Sequence, residues 1–186
     1  MTRARRAILG LAAAAALAAV GALLVGFVWP AGAVQDSVDL GVAEEYEPGS
    51  VTMHEGVVES SDLRWGVRAL MDDRQTPAWA RNHEVTIALA RHDNGSFSAF
   101  IARDPRTGCP LAWRTNFLRY DPDGVFRDPC HGSTYDEYGL HVFGPSPRAM
   151  DFFDVMVDGS GHVIVDLREL HPGCTYPDHQ SGSCRR

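Results

Sequence analysis

The sequence contains no lysine: all 17 of its basic residues are arginine, and they face 24 acidic residues in a chain of 186. Three of those arginines stand within the first six residues, so the rest of the chain carries 14 basic against 24 acidic groups. A chain this acidic lacks the positive surface that binds phosphate backbones, and no nucleic-acid partner is expected. With 22% charged and 45% hydrophobic residues, the length fits one ordinary globular domain.

Recognisable catalytic motifs are also missing. The chain has no Gly-x-Ser-x-Gly elbow, no phosphate-binding loop and no His-Glu-x-x-His helix motif. Internal repeats and long amphipathic helices are absent as well. Independent catalysis is therefore not expected.

Charge is absent from one long run, residues 7–29, which read AILGLAAAAALAAVGALLVGFVW. At about 1.5 Å per residue, a helix of this length crosses a hydrocarbon layer of about 30 Å. We predict a single transmembrane helix, and the basic residues 1–6 favour a cytoplasmic N-terminus with the main domain on the outer face. A cleaved signal peptide is the alternative, because Ala31-Gly32-Ala33 resembles a cleavage site, but the run exceeds the usual apolar core of about 7–15 residues.

The rest of the chain has the pattern of short β-strands. Residues 30–49 are acidic and poor in large apolar side chains, which predicts a linker. Asn94-Gly95 between apolar runs predicts a β-hairpin, and a short helix is expected near residues 62–71. The later runs GVFRD, LHVF, MDFFDVMVD and HVIVDL predict further strands. We therefore expect a mainly β, antiparallel domain over residues 50–168.

Four cysteines allow three disulfide pairings in an oxidising compartment: Cys109, Cys130, Cys174 and Cys184. Two local pairs are the simplest arrangement, and the second pair would tie the C-terminal tail, residues 169–186. The alternative is a zinc site in the tail, since zinc uses the residue types found at His171, Cys174, His179 and Cys184. Their spacing matches no established zinc module.

Three loops carry a recognisable set of residues. They read Asp104-Pro-Arg106-Thr-Gly108-Cys109, then Asp128-Pro-Cys130-His131-Gly132-Ser133-Thr-Tyr135-Asp136, then Gly144-Pro145-Ser146-Pro147. This region resembles the cluster-binding loops of Rieske iron-sulfur proteins, which read Cys-x-His-x-Gly-Cys, Cys-x-Cys-His-Gly-Ser-x-Tyr-Asp and Gly-Pro-x-Pro. The resemblance implies an antiparallel β-sandwich, and the predicted anchor is similar to that of Rieske subunits in quinol-oxidising complexes.

The resemblance also identifies the cluster-ligand positions, and most of them have changed. The four ligands of the family correspond to Asp104, Arg106, Asp128 and His131, of which only His131 matches. A 2Fe-2S cluster needs two thiolates and two imidazoles, and arginine has no lone pair to donate. No cofactor is therefore expected, although 2Fe-2S is the family's cofactor. We expect Asp104, Arg106 and Asp128 to form a salt-bridged set with His131 at the vacated site.

Further positions take their roles from the same resemblance. Cys109 and Cys130 match a pair that joins the two loops by a disulfide in the quinol-oxidoreductase branch, which leaves Cys174 and Cys184 as the second pair. Ser133 and Tyr135 match residues whose hydroxyl groups donate hydrogen bonds to cluster sulfur in the family. Without the thiolates, we interpret Ser133 as a partner of local backbone and Tyr135 as a packing residue whose hydroxyl is satisfied.

The function predicted from these residues is that of a membrane-anchored, Rieske-like accessory or docking subunit of an electron-transfer complex, without a cluster. A respiratory quinol-oxidising complex is the implied partner. One alternative is a working 2Fe-2S electron carrier, and another is a mononuclear zinc or iron site held by Asp104, Asp128 and His131. The same three residues could also divide acid and base roles in an enzyme, for which the sequence offers no substrate feature.

Overall fold

Ten β-strands account for most regular structure in the residues that the computed structural model describes, which are 34–64, 67, 84–115, 117 and 124–175. The strands are β1 (Ser37–Val42), β2 (Ser50–Glu59), β3 (Glu84–Arg91), β4 (Phe97–Ile101), β5 (Ala112–Arg114), β6 (Val125–Arg127), β7 (Thr134–Tyr135), β8 (His141–Phe143), β9 (Phe152–Val157) and β10 (His162–His171). Two single-turn 3-10 helices cover Ala43–Glu45 and Ser60–Asp62. The prediction of a mainly β fold is confirmed.

The strands form two antiparallel sheets. The larger sheet has the order β1-β10-β9-β4-β3-β2, and the smaller has the order β5-β6-β7-β8. Along the chain, the smaller sheet lies between β4 and β9, which are neighbours in the larger sheet. Of the loops with the predicted site residues, the first precedes β5, the second connects β6 to β7, and the third follows β8. The strands predicted at GVFRD, LHVF, MDFFDVMVD and HVIVDL correspond to β6, β8, β9 and β10.

Strand β3 is buried on both faces and separates two hydrophobic cores. Successive side chains of a strand point to opposite faces, so Ile87 and Leu89 belong to the core of the larger sheet, while Ala88 and Ala90 belong to a second core. The second core includes Phe126 of the smaller sheet. Because alanine has a short side chain, β3 offers a close packing surface for the layer that carries the site.

The predicted hairpin is present between β3 and β4. Arg91 pairs with Phe97, and Gly95 adopts a φ of 82°, which an L side chain rarely reaches. The side-chain oxygen of Asn94 accepts the backbone N–H of Ser96 at 2.9 Å. Asn-Gly therefore supplies both the turn conformation and its local hydrogen bond.

Strand β1 lies within the segment predicted as a linker. Ser37–Val42 pairs antiparallel with β10, and its burial alternates so that Val38 and Leu40 enter the core at 8% exposure each. The surrounding acidic residues make this segment look like a linker in the sequence. The strand forms because it pairs with β10, which lies far along the chain. At the other end, β10 extends to His171, three residues beyond the predicted domain boundary at 168.

Several predictions fall on residues outside the described ranges. These are the N-terminal residues 1–6, the transmembrane helix at 7–29 and residues 176–186 of the tail, including His179 and Cys184. Most of the helix predicted near 62–71 also falls outside them. The residues that lead into it, Ser60–Asp62, form a 3-10 turn. Among the residues that the structure describes, no helix has the length and apolar character to span a membrane.

Candidate functional site

Two loops of the same design approach each other at the smaller sheet. The first spans residues 104–109 and the second residues 128–133, and each begins with Asp-Pro and reaches glycine at its fifth position. The N–H of Gly108 donates to the carbonyl of Asp104 at 2.8 Å, and the N–H of Gly132 donates to the carbonyl of Asp128 at 3.0 Å. Both glycines have positive φ, 66° and 86° respectively. The two loops therefore make the same turn.

The Asp104 carboxylate is buried at the centre of the first loop, with 1% of the residue exposed. Its Oδ1 accepts the backbone N–H of Arg106 at 2.9 Å, the N–H of Thr107 at 2.8 Å and the Thr107 hydroxyl at 3.0 Å. Its Oδ2 accepts the hydroxyl of Tyr135 at 2.7 Å. Four donors thus engage both oxygens, which are oriented by the loop and by β7.

The Asp128 carboxylate has the corresponding place in the second loop and is fully buried. Its Oδ1 accepts the N–H of Cys130 at 2.7 Å, and its Oδ2 accepts the N–H of His131 at 3.2 Å. The His131 ring is 39% exposed and places Nδ1 3.4 Å from the same Oδ2. Aspartate commonly accepts such N–H groups two and three residues ahead, which explains why both loops begin with it.

The two buried carboxylates differ in their affinity for a proton. Burial alone would raise the pKa of Asp104, but the Tyr135 hydroxyl, the nearby Ser133 hydroxyl and the loop N–H groups outweigh it and hold that pKa below its usual value. Burial raises the pKa of Asp128, and the negative charge of Asp104 raises it further. The N–H groups of Cys130 and His131 lower it, but the pKa stays above its ordinary value. Asp104 is therefore the stronger acid of the pair.

Tyr135 supplies the link between the first loop and β7. The residue is fully buried, and burial together with the charge of Asp104 raises the pKa of its hydroxyl, which stays protonated and donates to the carboxylate. This matches the interpretation of Tyr135 as a packed residue with a satisfied hydroxyl. Ser133 does not match its interpretation as a partner of local backbone: its buried hydroxyl faces Asp104 and Tyr135 and helps to lower the pKa of Asp104, although its geometry to the described residues is not that of a normal hydrogen bond.

A disulfide between Cys109 and Cys130 joins the two loops, as the family resemblance implies. Their Cα atoms are 6.4 Å apart, which is within the range that a disulfide spans. Cys109 is fully buried and Cys130 is partly exposed. A carboxylate oxygen of Asp128 and the two sulfurs all lie within 4.8 Å of one another. The second predicted pair, Cys174 with Cys184, stays a prediction because Cys184 lies outside the described residues.

The predicted salt-bridged set does not form. Arg106 is exposed, and it contacts Asp104 through its backbone N–H rather than its guanidinium. Among the described residues, Arg106 makes no ion pair with Asp104 or Asp128. The physical reason is that loop N–H groups and Tyr135 already compensate the buried charge of Asp104, so the cation stays in water. The structure brings Asp104, Asp128, His131 and the two hydroxyl residues together, but not the Arg106 side chain.

The third loop, residues 144–151, covers the second. Gly144 has a φ of 102°, and a Cβ added there would lie 2.5 Å from the Cα of Ser133 and 2.8 Å from the carbonyl oxygen of Gly132. Only glycine permits this contact between two backbones. The close contact between the third and second loops therefore depends on Gly144.

Arg148 is a site residue that the sequence reasoning missed. Its guanidinium pairs with the carboxylate of Asp151, where Nη2 lies 3.0 Å from Oδ2. The same Nη2 donates to the carbonyl of Pro105 at 3.4 Å. Arg148 thus connects the third loop to the first. The available signal was an arginine directly after Gly144-Pro-Ser-Pro147, where a rigid loop would present it to its neighbours.

Comparison with known proteins finds iron-sulfur subunits of cytochrome complexes among the similar sequences, although no family model matches the chain. The cytochrome b6-f complex iron-sulfur subunit of Synechococcus sp. (strain JA-3-3Ab) is 35% identical over 69 residues, which cover 36% of this chain and 37% of the relative. The cytochrome bc1 complex Rieske iron-sulfur subunit of Corynebacterium efficiens is 31% identical over 80 residues, 42% of this chain and 18% of that one. The chain thus spans well under half the length of these curated relatives.

Among solved structures, the plasma membrane Rieske protein PetC3 from Synechocystis PCC 6803 is similar with a TM-score of 0.37 and 23% identity. The match covers 44% of this chain and 76% of that protein.

Proposed function

Because this chain contains a Rieske-family domain, we propose that it is a membrane-anchored accessory or docking subunit of an electron-transfer complex and holds no 2Fe-2S cluster. The observation that carries the proposal is the paired burial of Asp104 and Asp128, whose carboxylates accept the loop N–H groups. These are the positions at which the family resemblance expects the cluster thiolates. The loops therefore keep their shape through oxygen acceptors instead of metal-bound sulfur.

The donor set of these loops does not fit a 2Fe-2S cluster. Such a cluster binds two cysteine thiolates on one iron and two imidazoles on the other. Of the four ligand-equivalent residues, two are carboxylates engaged by loop hydrogen bonds, one is an exposed arginine and one is the imidazole of His131. The two cysteines of the loops are bonded to each other. This mismatch supports a role that depends on the surface and position of the domain.

The partner in this proposal is a membrane complex that oxidises quinol. Its support is that the curated relatives are subunits of cytochrome b6-f and cytochrome bc1 complexes. The predicted helix at residues 7–29 would anchor the chain with its main domain on the outer face. A domain that keeps the loops and loses the cluster would occupy such a complex without carrying electrons itself.

Two measurements on the full-length protein in mild detergent test the proposal. The first is the iron and acid-labile sulfide content with the electron paramagnetic resonance spectrum after reduction, for which we expect no stoichiometric iron and no 2Fe-2S signal. The second is co-purification from native membranes, for which we expect cytochrome-containing subunits to accompany the chain. Stoichiometric iron with sulfide would overturn the cluster-free role, and a chain that migrates alone in several detergents would overturn the docking role.

A second candidate function is electron transfer through a metal centre at the same loops. The observation that favours it is the Ser133 hydroxyl, which is fully buried beside Asp104 and Tyr135 but makes no hydrogen bond of normal geometry with the described residues. A buried hydroxyl without a partner costs free energy, and an additional acceptor beside it would satisfy it. The metal and spectroscopic measurements above separate this candidate from the first.

A further inference from the structure

Two sulfurs and one carboxylate converge where the first and second loops meet. The Sγ atoms of Cys109 and Cys130 and a carboxylate oxygen of Asp128 lie within 4.8 Å of one another. We propose that reduction of this disulfide creates a binding site for one zinc-type divalent cation, with Cys109, Cys130 and Asp128 as ligands and His131 as the fourth. The site would exist only in the reduced protein, since a disulfide sulfur is a poor ligand for zinc.

The ligand types and their spacing suit zinc. Thiolate, imidazole and carboxylate are the donors that zinc takes in tetrahedral sites, at about 2.3 Å from sulfur and about 2.0–2.2 Å from nitrogen or oxygen. Ligand atoms around one such ion stand roughly 3.3–3.8 Å apart, which follows from those bond lengths. Breaking the S–S bond lets the two sulfurs separate to this distance, and the Cα separation of 6.4 Å leaves room for it.

Asp128 is the carboxylate placed to bind the ion, because one of its oxygens lies within 4.8 Å of both sulfurs. Each oxygen of Asp128 accepts one backbone N–H, from Cys130 and from His131, so each keeps capacity for a further partner. The oxygens of Asp104 already accept four donors, including the Tyr135 hydroxyl. A metal can therefore bind at the second loop while the hydrogen bonds that shape both loops stay in place.

His131 is positioned to complete the coordination. It follows Cys130 directly, its Nδ1 lies 3.4 Å from Oδ2 of Asp128, and its ring is 39% exposed. A partly exposed ring can turn toward an ion beside this carboxylate without disturbing the core. The resulting set of two sulfurs, one oxygen and one nitrogen differs from the ligand set of the cluster that the family resemblance implies.

Formation of the site requires a two-electron reductant, and a dithiol is a suitable class. The bond between the Cys109 and Cys130 sulfurs breaks, the dithiol closes its own disulfide, and its two protons pass to the cysteine sulfurs. Cation binding then releases those two protons as the sulfurs become thiolates. Attack is expected at Cys130, because it is partly exposed whereas Cys109 is fully buried.

This inference rests on the proposed cluster-free loops, so the test begins with the metal content of the full-length protein as isolated. Stoichiometric iron with sulfide would overturn both proposals. If iron is absent, the steps that follow decide the zinc site alone. The protein used carries C174S and C184S, which leaves Cys109 and Cys130 as its only cysteines.

The reduced protein is titrated with Co²⁺ under argon. The reductant is a phosphine, which takes oxygen from water, leaves protons on the two sulfurs and does not compete for the metal as a dithiol would. We expect one Co²⁺ per chain with sulfur-to-cobalt charge-transfer absorption, its loss on adding zinc, and no uptake by the oxidised protein. Absence of the band after reduction, or equal uptake by the oxidised protein, would overturn the proposal.

Variants identify the ligands. C109S with C130S should abolish the charge-transfer band, and Asp128→Asn should weaken cobalt affinity at least about tenfold, since even residues that only support a ligand have effects of that size. The matched control is Asp93→Asn, an exposed aspartate in the β3–β4 turn, for which we expect affinity within about twofold of the parent protein. Equal weakening by both aspartate substitutions would contradict the assigned site.

A second measurement covers the case in which reduction unfolds the domain. Alkylation of Cys109 and Cys130 in the reduced protein is followed by mass spectrometry with and without zinc, alongside the far-ultraviolet circular dichroism spectrum. We expect zinc to slow alkylation of both cysteines and to preserve or restore the β-sheet spectrum. A reduced chain that zinc neither protects nor refolds would overturn the inference.

Discussion

The hydroxyl of Tyr135 donates a 2.7 Å hydrogen bond to Oδ2 of Asp104, across 31 positions of sequence. The bond joins β7 of the smaller sheet to the loop that leads into that sheet, and both residues are buried. Loop N–H groups hold Oδ1 of Asp104 and Tyr135 holds Oδ2, so together they fix the orientation of the carboxylate. The pair is therefore a sensitive point at which to test the site.

Tyr135→Phe removes the hydroxyl and leaves Oδ2 of Asp104 buried without its donor. We expect a loss of about 1.5–3 kcal/mol in the free energy of unfolding, the usual scale for a hydrogen bond to a charged group. Urea denaturation of the protein measures it. The comparison variant is Ser133→Ala, which removes a second hydroxyl beside the same carboxylate that lacks hydrogen-bond geometry with it, so we expect a smaller loss than for Tyr135→Phe. Equal losses in the two variants would contradict the arrangement.

Asp104→Asn and Asp128→Asn should change the pH dependence of stability in opposite directions. The folded pKa of Asp104 lies below its ordinary value of 3.8, so its contribution is present above that pH and is lost as the pH falls through the folded pKa. The folded pKa of Asp128 is raised, so its contribution is present below pH 3.8 and is lost as the pH rises through the folded pKa.

The expected outcome at neutral pH is that Asp104→Asn lowers the free energy of unfolding more than Asp128→Asn does. In acid, below the ordinary aspartate pKa, the cost of Asp104→Asn should shrink. Denaturant titrations of both variants and the parent protein over a series of pH values provide the comparison. A cost of Asp104→Asn that is the same at every pH would show that the carboxylate charge has no role in the loop.

Replacing Cys109 and Cys130 together by alanine removes the covalent link between the loops. The two positions are 21 residues apart, and the chain-entropy account gives a loss of about 3 kcal/mol for a loop of this size. Thermal denaturation with and without reductant tests the prediction in a background that lacks the other two cysteines. Reductant should lower the melting temperature of the parent but not of the variant, and equal shifts would rule out a stabilising disulfide.

Gly144→Ala should destabilise the domain far more than Gly161→Ala. Both glycines have positive φ, 102° and 87°, so both substitutions carry a backbone cost of roughly 1–2 kcal/mol. A Cβ at Gly144 meets the backbone of Ser133 at 2.5 Å, whereas a Cβ at Gly161 meets nothing within 4 Å. The displaced loop should add about 1–3 kcal/mol, read from denaturation midpoints. Similar midpoints for the two variants would mean that the close backbone contact between the third and second loops is absent.

Local patterns made part of this fold predictable. The β3–β4 hairpin follows from Asn94-Gly95 because the turn chemistry and the flanking alternation act within a dozen residues. Strand β1 was not predictable in the same way, because Ser37 pairs with Asp166 and its two apolar residues are too few to signal a strand alone. Its formation depends on a partner that adjacent sequence does not reveal.

The same distinction applies to the candidate site. The loop motifs led to the Cys109–Cys130 pair, which is disulfide-bonded in the structure, whereas the ligand-equivalent positions stay a prediction. The sequence reasoning assigned Arg106 the wrong partner, since residue types alone suggested an ion pair while the backbone N–H groups of the loop had already engaged Asp104. It overlooked Arg148 because the carbonyl of Pro105 that it contacts carries no sequence signature.

The pairing of β1 with β10 makes the first and last strands of the described fold neighbours in one sheet. Proteolytic trimming from either side must therefore disrupt the same set of interstrand hydrogen bonds. Removal of β1 would expose the edge of β10, and removal of β10 would expose both β1 and β9. The two ends of the fold consequently protect each other, and fraying at one should be detected as faster amide exchange at the other.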